Sequence, residues 1–187
     1  LVGWDAKHSQ TPILVALFIV LAINLVARIF VYWKRLRNVP HLMKHDDWPE
    51  AFKNSKVSLI SPAYNEEAGI ESTIRAALGS TMAGPSNFEM IVVDDQSKDN
   101  TYEAMCRVDD ERLKPIAGAP RKNTHLDWKG KNWACYQGYK EAQGDVLIFM
   151  DSDITFLPGA IESLLHGLCE SGADWLTCTP CHYGVSC

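Results

Sequence analysis

Residues 145–153 read DVLIFMDSD, an apolar run that ends in two aspartates one residue apart. Val146 to Met150 is too short a run for a helix and predicts a buried strand, central to its sheet. Before it, Asn132 to Ala142 reads as a helix. After it, Pro158 to Glu170 reads as another, with Pro near the first turn and Ile161, Leu164, Leu165 and Leu168 on one face. Further upstream the alternation repeats. Val57 to Ser61 (VSLIS) predicts a strand, followed by a helix N-capped by Asn65, with Glu66 and Glu67 favoured by the helix dipole and Ile70, Ile74, Ala77 and Leu78 facing inward. Phe88 to Val93 (FEMIVV) predicts a second strand, and Asp99-Asn100-Thr101 caps a helix with Ala104, Met105 and Val108 inward. A weaker third strand runs through Leu113 to Ile116. Strands alternating with helices specify an α/β class: a mostly parallel sheet with helices on both faces.

The rest of the chain surrounds this domain with a membrane segment and a linker. Residues 12–27 (PILVALFIVLAINLVA) carry no charge, and the apolar character continues past Arg28 through Trp33. That is about 20 residues of helix, the length that crosses a hydrocarbon core. Arg28 is placed to snorkel, and Tyr32 and Trp33 suit an interfacial belt. Lys34, Arg35 and Arg37 follow at once, against Lys7 before the segment, so the positive-inside bias puts the domain in the cytosol. The polar start LVGWDAKHSQ disfavours a cleaved signal peptide. The expected organisation is a short extracytoplasmic N-terminus (1–11), a single transmembrane helix (12–33), a juxtamembrane linker (34–55) and a folded domain (56–187). In 187 residues a net charge of −5 argues against a nucleic-acid partner, since such binders display a basic face. The six cysteines lack the spacing of a disulfide framework and are expected to be free thiols.

In open parallel sheets ligands gather at the carboxyl ends of strands. The first strand delivers Ser61-Pro62-Ala63-Tyr64-Asn65-Glu66-Glu67 there, the second Asp94-Asp95-Gln96-Ser97, and the fourth Asp151-Ser152-Asp153. Asp151 and Asp153 offer hard oxygen donors to a divalent cation while leaving coordination positions for phosphate oxygens. Such a cation suits a diphosphate leaving group, whose developing charge it offsets. An isolated Asp-x-Asp is more often a solvated turn, but carboxylates gathered at two strand ends repel one another unless a cation intervenes. Asp94 and Asp95 read either as turn and cap chemistry, Asp94 more than Asp95, or as acceptors for a nucleobase ring N–H. Tyr64 is either a stacking face for that base or a partly buried core aromatic. Lys131, at the entrance of the helix before the fourth strand, is either a phosphate ligand beside the positive helix end or a solvated lysine. Lys129 is the less favoured of the two, and Trp133 reads as loop packing.

Taken together, VSLISPAYNEEAGI, FEMIVVDDQSKDNT and DVLIFMDSDITFLPGAI resemble the opening of family 2 glycosyltransferases over roughly residues 56–175. The segment WKGKNWACYQG (128–138) looks most like the branch that glycosylates carotenoids, hopanoids and related lipids. The resemblance implies a GT-A fold that binds a nucleotide-diphospho-sugar, with UDP-sugar favoured and GDP-sugar the alternative. It also implies Mg²⁺ or Mn²⁺ and transfer with inversion to an acceptor, a lipid or else a polysaccharide. On this basis Pro62 and Asp94 line the nucleotide site, Tyr64 stacks on the base, Asp95 binds its ring nitrogen and Glu66 holds the loop nearby. Asp151 lies by the ribose or diphosphate, Asp153 ligates the metal and Lys131 approaches the diphosphate. The family's acidic base lies on a later segment, expected beyond Cys187, with the acceptor half supplied by further chain or a partner subunit. Glu162 and Glu170 read as solvated helix residues.

Three rival readings follow from the residues. Cys178-Thr179-Pro180-Cys181-His182 satisfies a haem-attachment spacing, but that chemistry belongs outside the cytosol; with Cys187 the same donors are numerous enough for zinc, at no familiar spacing. Nucleotidyltransferases and dinucleotide oxidoreductases want a Gly-rich loop where this chain has Pro62 to Glu67. A non-catalytic, membrane-tethered nucleotide-binding scaffold is the alternative from another functional class, and sugar transfer by the purified chain separates the two.

Overall fold

The computed structural model describes residues 11–37, 42, 44–84, 86–121 and 128–180. It divides into two compact units, Leu1–His41 and Leu42–Cys187. The first is built on α1 (Thr11–Arg37). Within it Leu14–Lys34 has a mean hydropathy of 2.7 and none of it is buried, so it is long and apolar enough to cross a membrane. Arg28 is held along this helix by donating from Nε to Asn24 Oδ1 at 3.1 Å.

The second unit carries a four-stranded parallel sheet: β1 (Val57–Ala63), β2 (Phe88–Asp94), β3 (Leu113–Ala117) and β4 (Val146–Phe149), in the order β3-β2-β1-β4. The connections are α2 (Ile70–Gly79), α3 (Thr101–Cys106) and α4 (Gly130–Glu141), with α5 (Ala160–Ser171) after β4. Every residue of β1 and β2 is buried, as expected of strands covered on both faces. Alternate residues serve opposite faces. Val57, Leu59, Phe88, Met90 and Val92 join Ile70, Ile74, Met105, Ile161 and Leu165 in the main core, while Ile60, Ile91 and Val93 meet Ala134 of α4 on the other side. Fully burying each such Ile, Leu or Phe contributes about 1.5–3 kcal/mol relative to exposure. Gly138 lets α4 lie close to the sheet, since a Cβ there would stand 2.6 Å from Ile60 Cγ2.

The structure corrects the sequence reading at several points. Among the described strands β1 is flanked by β2 on one side and β4 on the other; β4 is half-buried, and its Phe149 is 54% exposed. Its apolar run records the core on one face but not its place in the order. Asn65 does not cap α2: it adopts a left-handed φ of 54° and α2 begins at Ile70, although Ile70 N already bonds Glu66 O at 2.9 Å. The stretch 34–55, read as linker, divides. Helix α1 runs through Arg37, whereas Trp48 and Phe52 pack against the main core. Glu162, read as solvated, is 3% exposed and accepts a hydrogen bond from the Thr81 hydroxyl, while Glu170 is exposed as expected.

Candidate functional site

The strand order reverses at β1. The chain moves from β1 to β2 to β3, then α4 carries it back across to β4 on the far side of β1. Right-handed crossovers in the two directions place their helices on opposite faces, which leaves a crevice between the carboxyl ends of β1 and β4. The walls of that crevice are cross-linked. After β1, Asn65 N donates to Ser97 Oγ at 2.8 Å and Asn65 Oδ1 accepts from Lys98 N at 2.8 Å. Glu66 N donates to Thr101 Oγ1 at 2.8 Å, and Glu67 takes Asn100 Nδ2 at 2.9 Å. Asp99 Oδ1 in turn accepts from Thr101 N at 3.1 Å, the capping role its sequence predicts. Asn65 and Gln96, at φ 54° and 61°, are the two non-glycine left-handed residues among those described, one in each loop.

A cavity of about 370 Å³ occupies this crevice, lined by Pro62, Ala63, Tyr64, Glu66, Asp95, Lys131, Asp151, Ser152 and Asp153. Tyr64 is 50% exposed, which rules out the core-aromatic alternative and leaves a ring face open. Asp95 follows β2 directly and is tied to β1 through its amide, which donates to Ala63 O at 2.8 Å. Its Oδ2 lies against Gly130, where a Cβ would overlap it, so a larger residue at 130 would displace the Asp95 carboxylate from this position. Burial pushes the Asp95 carboxyl above its ordinary value, against the opposing pull of Arg121. Across the crevice, Met150 N bonds Ile60 O at 3.0 Å and brings the Asp151-Ser152-Asp153 turn beside the end of β1. Lys131 Nζ pairs with Asp151 Oδ1 at 2.5 Å, both side chains being half-exposed.

Among the lining residues four carboxylates face one ammonium, an imbalance that attracts a cation. The donors are hard oxygens only, which fits Mg²⁺ or Mn²⁺ and not a thiol- or imidazole-seeking ion. The Cys135 thiol nearby is pushed up by burial and stays protonated.

Of the eight residues singled out in sequence, seven line the cavity and Asp94 does not. Asp94 is 8% exposed, and its Oδ1 accepts from Ser97 N at 3.1 Å and from the Ser97 hydroxyl, so it shapes the turn that presents Asp95. Ala63 and Ser152 were missed; they carry no distinctive chemistry and are marked only by lying between residues that do. Helix α4 starts two residues earlier than expected, with Lys129 at its N-cap and Lys131 in its first turn. Trp133 packs as read, 5% exposed and donating from Nε1 to Ala119 O at 2.7 Å. Cys106, Cys135, Cys169 and Cys178 are free, while Cys181, His182 and Cys187 lie outside the described residues.

Comparisons with known proteins agree with this geometry. The family model for glycosyl transferase family 2 matches residues 58–186. A dolichol-phosphate mannosyltransferase of Pyrococcus furiosus is 34% identical over 119 residues, which is 64% of this chain and 31% of that protein. A 4,4'-diaponeurosporenoate glycosyltransferase of Staphylococcus haemolyticus is 30% identical over 132 residues, 71% of this chain and 32% of that one. The chain therefore spans about a third of the length of these curated relatives. Among solved structures, a mannosyltransferase from Pyrobaculum calidifontis in complex with GDP-Man and Mn²⁺ shares the fold, with a TM-score of 0.56 at 22% identity over 81% of this chain and 42% of that chain.

Proposed function

This chain belongs to glycosyl transferase family 2, and on that premise we propose that its crevice holds a nucleotide-diphospho-sugar and a divalent cation for sugar transfer to a lipid. The observation that carries the reading is the convergence of Tyr64, Asp95, Lys131, Asp151 and Asp153 in one cavity at the point where the strand order reverses. Tyr64 offers the base a stacking face, and Asp95 accepts its ring N–H. Because Asp95 Oδ2 is packed on Gly130, one oxygen is left for the base, which suits uracil, whose one donor on that edge is its ring N–H, better than guanine, whose ring N–H is accompanied by an exocyclic amine. UDP-sugar is therefore the proposed donor and GDP-sugar the alternative. Asp153, with Asp151, would hold Mg²⁺ or Mn²⁺, which when bound supplies Lewis acidity to the departing diphosphate. Lys131 exchanges Asp151 for a phosphate oxygen, aided by the positive end of α4. Glu66 fixes the loop that closes the crevice.

The lipid acceptor rests on α1 and on the lipid-linked names of the relatives. We place the α/β unit in the cytosol, after a single span followed by Lys34, Arg35 and Arg37. A nucleotide-binding module without transfer is the second reading, because the four carboxylates among the described lining residues are assigned to the base, the metal and the loop, and none of them to deprotonating an acceptor. The deciding experiment incubates the full chain in detergent with radiolabelled UDP-sugars or GDP-sugars, Mn²⁺ and membrane lipids. The proposal expects Mn²⁺-dependent label in lipid or release of free sugar. Tight nucleotide binding with neither product would establish the module instead.

A further inference from the structure

Outside the crevice, His45, Asp47 and His166 bring one ligand atom each to within 4.8 Å of one another. From this geometry we infer a second metal site, selective for a divalent transition ion such as Zn²⁺, that straps residues 44–47 onto α5. Asp47 and His166 lie 119 positions apart, yet the two segments are held together. His45 N donates to Ser163 Oγ at 3.2 Å, and the His45 carbonyl lies against Gly159, whose left-handed φ of 81° and missing Cβ allow the approach. Leu42 packs over Gly167 in the same way. The His166 ring bonds Asp47 O through Nε2 at 3.1 Å, with Asp47 Oδ1 3.7 Å away. Lys44 is engaged with Asp46 at 3.3 Å, which leaves the Asp47 carboxylate facing the imidazoles.

Two imidazoles and one carboxylate are borderline donors that suit Zn²⁺ and its neighbours and serve Mg²⁺ poorly. Three protein ligands leave a fourth position to water, and Asp47, 82% exposed, opens the site to it. Bonds of about 2.0–2.1 Å place tetrahedral donors roughly 3.4 Å apart, so the site forms when ligand atoms now within 4.8 Å of one another draw together and the rings reorient. An imidazole binds a metal in its own plane, so the stacked His45 and His166 rings, 3.6 Å between centroids and 11° between planes, turn apart on binding. Only Ile154 to Gly159 separate the Asp151-Ser152-Asp153 turn from α5, so the strap steadies the helix next to the crevice. The site stands independently of the donor reading.

The test is calorimetry of ZnCl₂ and of MgCl₂ into the untagged full chain in detergent. The background carries Asp153→Asn, Cys178→Ser, Cys181→Ser, His182→Asn and Cys187→Ser, which removes the principal metal ligand of the crevice and the donors of the tail. The inference expects one Zn²⁺ per chain, no comparable Mg²⁺ signal and a raised Tm. It also expects at least tenfold weaker Zn²⁺ binding with Asp47→Asn, an exposed change that leaves folding intact, and loss of binding with His45→Ala. Absence of Zn²⁺ binding to the background chain, or unchanged affinity in Asp47→Asn and in folded His45→Ala, would overturn it.

Discussion

Opposite ends of the same parallel sheet hold carboxylates in opposite circumstances. At the amino end Glu89 of β2, 9% exposed, accepts from Ser58 Oγ at 2.5 Å and from Gln143 N at 2.7 Å, and pairs with Lys56 at 3.4 Å. At the carboxyl end Glu66, Asp95, Asp151 and Asp153 line an open cavity with Lys131 as the one ammonium among the lining residues. A carboxylate whose bonds are met by its own chain serves the fold, because its charge is already compensated. Carboxylates left facing a cavity, four against one ammonium, carry repulsion that a bound cation relieves. On this comparison, substitutions at the closed end change stability, and those at the open end change binding.

The largest expected effect is at the open end. Asp153→Asn lowers Mn²⁺-dependent nucleotide affinity by roughly a hundredfold, about 2.7 kcal/mol, with Tm unchanged; a fallen Tm at equal affinity would reverse the assignment. At the closed end, Glu89→Ala strands the Ser58 hydroxyl and the Gln143 amide and costs about 2–3 kcal/mol by urea denaturation, while nucleotide affinity of the folded chain stays within twofold. Tyr64→Ala, a change at a half-exposed side chain, lowers nucleotide affinity by about 1–3 kcal/mol and leaves stability nearly unchanged.

Acid provides the finest discrimination. Burial pushes the Glu89 carboxyl up, but Ser58, Gln143 and Lys56 outweigh it and hold the group below 4.5. The stability it contributes is therefore present above that value and fades only as pH falls through the lower folded one. Asp95 is displaced the other way, above 3.8, so base binding that needs its carboxylate weakens at a higher pH than an ordinary aspartate would give. Nucleotide titrations and thermal melts on a common pH series should show affinity declining from a higher pH than an ordinary aspartate gives, and the Glu89 contribution to stability persisting to a lower pH than an ordinary glutamate gives.

The sequence made legible whatever local chemistry repeats along the chain. The apolar runs of β1 and β2 and the inward faces of α2 and α5 emerged as read, since each residue's burial follows from its neighbours in sequence. The cavity was legible because three of its walls are strand ends marked by Asp or Pro-Ala-Tyr. Long-range partners were not. Glu162 is buried because Thr81, 81 positions away, meets it. Asn65 abandons its capping role for bonds to Ser97 and Lys98 in another loop. The place of β4 beside β1 among the described strands depends on long-range pairing, and the His45–His166 stacking on a segment folding back over a helix.

The most direct test compares isotherms for UDP and GDP, with and without Mn²⁺, on the detergent-purified chain, Asp153→Asn and Glu89→Gln, each shown folded by circular dichroism. The account predicts Mn²⁺-dependent binding, UDP the tighter, to the parent chain and to Glu89→Gln, and its loss in Asp153→Asn. A folded parent chain that binds neither nucleotide, or an Asp153→Asn variant that binds as the parent does, would contradict it.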